Sequence, residues 1–220
     1  TLKSRDAIRL ENGLNLGDYR ALPLREVKLD SPRIETAGGD AVLKAEILRL
    51  GNYDAERQDA VNQPVAGSGT FKADAQLLEL AGNQTLTGMA SAELSGAQEG
   101  TATQPRPMGA LKSAADLVFH GAVVAPATYA QYTIDAAGRT VSFTRNTNAP
   151  AQPLSALGSL TVIADNIVQG GNVWAPFGQL DFQAANTLTF KDGSLTSVAA
   201  ASGSLIPFGK VVNGRSWTYQ

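Results

Sequence analysis

Gly158-Ser-Leu-Thr-Val-Ile-Ala164 and Gly178-Gln-Leu-Asp-Phe-Gln-Ala184 write the same short strand twice, and Gly203-Ser-Leu-Ile206 begins it a third time. The segments between them correspond as well. Asn166 returns as Asn186, 20 positions on, and Gly171 returns as Gly193, 22 positions on. A chain that comes back to one local geometry every 20 to 25 residues is stacking repeats, and here the unit is a strand. The stretch therefore reads as a β-solenoid, which confines function to the surface of a rod and its loops.

In such a coil each strand pairs with the strands one turn above and below, and similar side chains pile into inward columns. Leu160, Val162 and Ala164 are expected to align with Leu180, Phe182 and Ala184, and Ile167 and Val168 with Leu188 and Phe190. A third face would pair Val173 and Ala175 with Leu195 and Ser197. Asn166 over Asn186 would join a side-chain amide ladder at a corner. Extended to the whole chain, the period predicts about 9 or 10 rungs and a rod about 45 Å long.

The same period-two alternation recurs upstream, in Ile8/Leu10, Leu14/Leu16, Val27/Leu29, Leu78/Leu80, Leu117/Phe119 and Val141/Phe143. Ala41 to Leu50 contains good helix formers throughout, yet it also splits into two strands that continue the array from Val27. Agreement with neighbouring rungs favours strands. Three stretches break the rhythm, near 52–68, 97–109 and 144–157, and they read as insertions protruding from the rod. Within 132–144, Asp135-Ala-Ala-Gly138 joins two alternating strands, either as a β-hairpin or as a corner between rung strands.

Composition narrows the function classes. Eighteen basic against 20 acidic residues give a net charge of −2 with no basic stripe, so nucleic acid is not an expected partner. There is no Cys, which removes disulfides, thiolate metal sites and Cys nucleophiles together. No apolar run approaches the roughly 20 residues that span a bilayer. Beginning Thr-Leu-Lys and ending on an apparent strand, the chain reads as one β-helical segment, 1–220, of a longer protein.

Candidate chemistry is sparse. The single histidine, His120, closes a strand without a second His or an adjacent carboxylate, so neither metal ligation nor a Ser-His-Asp arrangement is expected. Gly38-Gly39-Asp40 and Gly170-Gly171-Asn172 only faintly match the calcium-binding nonapeptide, whose tandem copies are missing. Asp30, Asp40, Asp74, Asp135, Asp165, Asp181 and Asp192 scatter over strands and corners, whereas polysaccharide-cleaving β-helices need clustered carboxylates. Asp54, Glu56, Arg57 and Asp59 form a mixed-charge patch in the first insertion. Trp174, between Val173 and Ala175, should point outward, where it and Trp217 could stack on sugars. No catalytic, metal or cofactor residue is assigned.

Several phrases are similar to a known family. Ala164-Asp-Asn-Ile-Val-Gln-Gly-Gly-Asn-Val-Trp-Ala-Pro-Phe-Gly-Gln-Leu180, Leu188-Thr-Phe-Lys-Asp-Gly-Ser-Leu-Thr-Ser-Val198 and Leu205-Ile-Pro-Phe-Gly209 resemble the distal rod of filamentous-haemagglutinin-like exoproteins. Ala125 to Asp135 also looks like a family segment. The resemblance covers about 117–219; the first hundred residues agree in texture alone. It implies a right-handed parallel β-helix exported through an outer-membrane partner transporter by two-partner secretion and displayed on the bacterial surface as an adhesive fibre. The implied binding partner is a receptor or glycan on a host cell or neighbouring bacterium, met by a monomeric, non-enzymatic fibre segment that is not membrane-embedded. The chain lacks the Asn-Pro motifs of that family's secretion domain and any toxin-like cluster, so the expectation is an internal shaft piece. The other reading is a carbohydrate-binding or polysaccharide-cleaving β-helix.

Overall fold

The computed structural model describes residues 1–19, 22–53, 63–96, 108–146, 152–200, 210–212 and 216–218. Every regular element described is a strand; apart from two short antiparallel pairs, Asp18–Tyr19 with Leu22–Pro23 and Lys210–Val212 with Ser216–Thr218, the strands stack in parallel as a β-solenoid of about seven turns. Each turn has up to three faces, taken in chain order as first, second and third.

The second face runs without a break. Leu14, Ala41, Phe71, Ala92, Leu117, Val141, Ile167 and Leu188 follow one another as register partners. Two residues on, Leu16, Leu43, Ala73, Leu94, Phe119, Phe143, Gln169 and Phe190 form a second column. Most of these side chains are fully buried, because alternation points every other residue inward and both neighbours in the stack are apolar. The first face is built from Ile8–Leu10, Arg33–Thr36, Asn83–Thr87, Met108–Ser113 and the leading arms of Gln131–Arg145, Ser159–Gly170 and Gln179–Phe190. On the third face Leu2, Leu29, Leu50 and Leu80 align, and further along Val124 bridges to Val173.

Ala41–Gly51 is one strand bent across two faces, with Ala41, Leu43 and Ala45 inward on one and Leu48 and Leu50 inward on the next. Stacking between two neighbouring strands thus overrides its helix propensity. The arms of Gln131–Arg145 do not pair with each other. Each pairs in parallel with its neighbours, and Gly138, at φ 79°, turns the corner between them.

The coil has fewer turns than the period predicts, because the first and third faces each pass over part of the chain. Ile34 pairs directly with Leu86, so the first face skips the turn that contains 52–68. Val124 reaches Val173 directly, past 144–157. Residues 54–62, 97–107 and 147–151 of the expected insertions lie outside the described residues, as does 201–209 with the third repeat and the Leu205 phrase.

The columns Leu160/Leu180, Val162/Phe182 and Ala164/Ala184 fall as expected, and the register then slips by one residue at the corner. Asn166 faces Thr187 instead of Asn186, and the Thr187 hydroxyl donates to Asn166 Oδ1 at 2.7 Å in place of an amide ladder. Val168 consequently faces Thr189, and Gln169 faces Phe190. On the third face Asn172, Val173 and Trp174 pair with Leu195, Thr196 and Ser197, one step from the expected register. The cause is length: the upper turn spends 191–194 on a corner that the lower makes with 170–171. Gln169 is fully buried with its amide turned to that corner, its Nε2 donating to Leu195 O at 2.9 Å and Thr196 Oγ1 at 3.0 Å. The core beside it is filled from the first face by Phe182, which packs 6.1 Å from Phe143; Phe143 in turn stacks on Phe119 at 5.3 Å.

Candidate functional site

The scattered carboxylates work at the corners. Asp40 accepts the Thr70 N–H at 2.8 Å, Asp116 the Thr140 N–H at 2.9 Å, and Asp165 the Gly138 N–H at 2.8 Å. Each takes a backbone donor from an adjacent turn, which otherwise would lack a partner where the ladder is interrupted. Asp135 stands 4.0 Å from Lys112, and Asp181 accepts from Gln183 on its own strand. Asp74 and Asp192 are exposed. His120 lies on an outward row beside Thr144, whose hydroxyl contacts its Nδ1. Trp174 does alternate outward from buried Val173 and Ala175, and its indole N–H donates to Ala199 O at 2.7 Å, so it packs beneath the next turn. The patch at Asp54, Glu56, Arg57 and Asp59 lies outside the described residues, and so do the surroundings of Trp217. Among the described residues no group of three His, Cys, Asp or Glu could hold a metal ion.

A polar corner between the third and first faces was not legible in the sequence. Alternation points Glu79 outward, yet it is fully buried, with Arg49 Nη1 at 3.6 Å from its carboxylate and Glu26 on the other side of Arg49 at 3.0 Å. Tyr53 donates its backbone N–H to Asp30 at 3.0 Å and carries Lys28 Nζ 3.5 Å from its ring centre. Burial, and then the Glu79 charge, push the Tyr53 phenol above its ordinary pKa; burial does the same to Tyr132. Both rings therefore stay protonated at neutral pH. The Tyr132 hydroxyl is buried without a hydrogen-bond partner. An apolar cavity of about 70 Å³ lies between Tyr132, Leu80, Leu94, Phe119 and Val124. That is far below the several hundred Å³ of a typical ligand pocket.

The larger concavity, about 280 Å³, lies where the stretch 52–68 returns to the rod. Val65 clamps onto the first face there, taking its hydrogen bond from the Gly88 N–H at 2.8 Å and donating its own N–H to Thr87 Oγ1 at 2.8 Å. The floor is Arg33, Glu35, Thr85 and Thr87, and the rim includes Gln63. Arg33 is shared between Asp6 at 3.2 Å and Glu35 at 3.6 Å, so the groove offers a fixed guanidinium beside a carboxylate. It can recognise a small polar group by paired charge and hydroxyl contacts.

Comparison with known proteins finds no matching family model, no similar curated protein and no similar solved structure.

Proposed function

We propose that this chain is a shaft segment of a secreted bacterial surface fibre, a structural and adhesive module that spans distance and presents surface loops for attachment. The observation that supports it is the contrast between an unbroken second face and first and third faces that pass over the stretches 52–68 and 144–157. A coil that keeps stacking on one face while the others skip chain is suited to carrying variable surface on a constant rod. The attachment partner is a receptor or glycan on a host cell or neighbouring bacterium, and export runs through an outer-membrane partner transporter, in line with the family phrases at 164–180 and 188–198. The module turns over no substrate.

The test is attachment of beads coated with the 220-residue chain to epithelial cells and to bacteria. Binding that drops when Arg33→Ala and Gln63→Ala open the groove beside the stretch 52–68 supports the reading. Beads that adhere no better than albumin-coated ones overturn it. A carbohydrate-active β-helix is the alternative, supported by the same charged groove, and release of reducing ends from a polysaccharide panel would favour it.

A further inference from the structure

Three residues other than glycine have positive φ among those described: Tyr129 at 58°, Leu157 at 62° and Phe177 at 55°. All are large and apolar, and all occupy one corner, between the third and first faces, on consecutive turns. The Tyr129 N–H donates to Ala156 O, the Leu157 N–H to Pro176 O and the Phe177 N–H to Val198 O, so the three side chains stack one strand spacing apart.

Two of these corners are tight turns. The Ala130 N–H returns to Ala127 O at 3.0 Å and the Gly178 N–H to Ala175 O at 2.9 Å. Such a turn takes Pro at its second position and, because φ is positive, Gly or Asn at its third. Pro176 obeys the first preference; Tyr129 and Phe177 violate the second. A bulky residue held there carries strain that glycine would not.

The side chains do not recover that cost in the core. Tyr129 is 45%, Leu157 38% and Phe177 41% exposed, and Val198, whose carbonyl accepts the Phe177 N–H, is 47% exposed. No Asp, Glu, Lys or Arg occurs in 117–134, 146–164 or 166–180. The ridge is a straight, evenly spaced, uncharged apolar ladder, a kind of surface that marks association.

We propose that this ladder is a lateral docking surface for a second copy of the chain, paired antiparallel about a two-fold axis through Leu157. An evenly spaced ladder is self-complementary under that operation. Leu157 meets Leu157, and Tyr129 meets Phe177 of the second copy. Within the described stretches of the ladder there is no formal charge, so neither ion pairing nor like-charge repulsion enters that contact. The four side chains expose on the order of 300 Å² per copy, from typical side-chain areas. The pair thus falls at the small, transient end of protein interfaces, associating above roughly 10 µM. This proposal differs from the monomeric fibre segment expected from the sequence.

The cysteine-free chain makes the test direct. Under mild oxidation at about 200 µM, well above the association range of a small interface, Leu157→Cys alone should give a disulfide-linked dimer. Tyr129→Cys and Phe177→Cys should cross-link only when mixed. Lys72→Cys, on the second face, should not cross-link. Sedimentation of the cysteine-free chain should show a concentration-dependent dimer, and Leu157→Asp, with unchanged circular dichroism, should lower its association at least tenfold. A monomer at every concentration overturns the proposal, as does equal cross-linking at Lys72→Cys. Self-cross-linking of Tyr129→Cys overturns the antiparallel two-fold.

Discussion

Two corner rows of this rod solve the same backbone problem with opposite residues. Between the first and second faces the chain turns at positive φ on glycine, as at Gly69 (80°) and Gly88 (81°). Between the third and first faces it turns at positive φ on Tyr129, Leu157 and Phe177. At these two positions there is no room for a side chain: a Cβ on Gly69 would lie 2.3 Å from Gly39 backbone atoms, and one on Gly88 2.5 Å from Thr36 O, whereas Gly13 and Gly138 in the same row have nothing within 4 Å and are set by the positive φ alone. In two of its three turns the second row places a glycine one position later, where a Cβ on Gly178 would lie 1.8 Å from Gly158 O, and in all three it leaves the strained position to a bulky side chain aimed outward. One row is shaped by the backbone angle and, at Gly69 and Gly88, by close approach of successive turns; the other is shaped by what it displays.

The largest expected effect breaks the glycine row. Gly69→Ala combines left-handed strain with a backbone clash and should cost about 3 kcal/mol, read from the urea midpoint. A loss below about 0.5 kcal/mol would mean the two rows do not differ in kind. Gly178→Ala should also destabilise, by about 2 kcal/mol, through approach alone.

Next in size is Tyr132→Phe, close to the ladder corner. It removes a buried hydroxyl that has no partner, so stability at neutral pH should rise by about 1 kcal/mol. The pH dependence carries a sign. Burial raises the Tyr132 phenol above its ordinary value of 10.0, so above pH 10 the unfolded chain releases a proton that the fold retains. The tyrosine's contribution is intact below pH 10 and is lost as pH climbs beyond it. Tyr132→Phe should therefore flatten the alkaline fall, with Tyr53 accounting for what remains; an unchanged profile would contradict the burial of this ring.

Smallest is Phe177→Gly. Relief of strain should offset the lost half-burial and the added chain entropy, leaving stability within about 1 kcal/mol of the parent. A loss of about 3 kcal/mol would show that the ladder holds up the fold, as core aromatics do.

How far the sequence could be read differs along the same lines. Strand identity and the columns at 160–164 and 180–184 were legible because alternation and spacing carry them directly. The Asn166 ladder and the third-face register were not, because one added residue at the corner near Ala185 and two more at 191–194 leave no mark on the alternation. The buried Glu79 was hidden because its strand position reads as solvent-facing. The ladder was hidden for a related reason: turn preferences put glycine or asparagine at a positive φ, and the structure gives that angle to Phe177. Local preference predicts the repeat well and fails where stacked turns decide.

The central claim is a parallel coil in which distance grows with turn number and not with sequence separation. Spin labels on the outward row of the second face test it most directly, since Asn15, Val42, Lys72, Glu93, Val118, Ser142, Val168 and Thr189 are successive partners. Pulsed electron–electron distances between backbone positions should be about 34 Å for Asn15→Cys with Thr189→Cys and about 24 Å for Lys72→Cys with Thr189→Cys, in the ratio of seven steps to five. Equal distances for the two pairs, or a shorter one for the pair farther apart in turns, would contradict the coil.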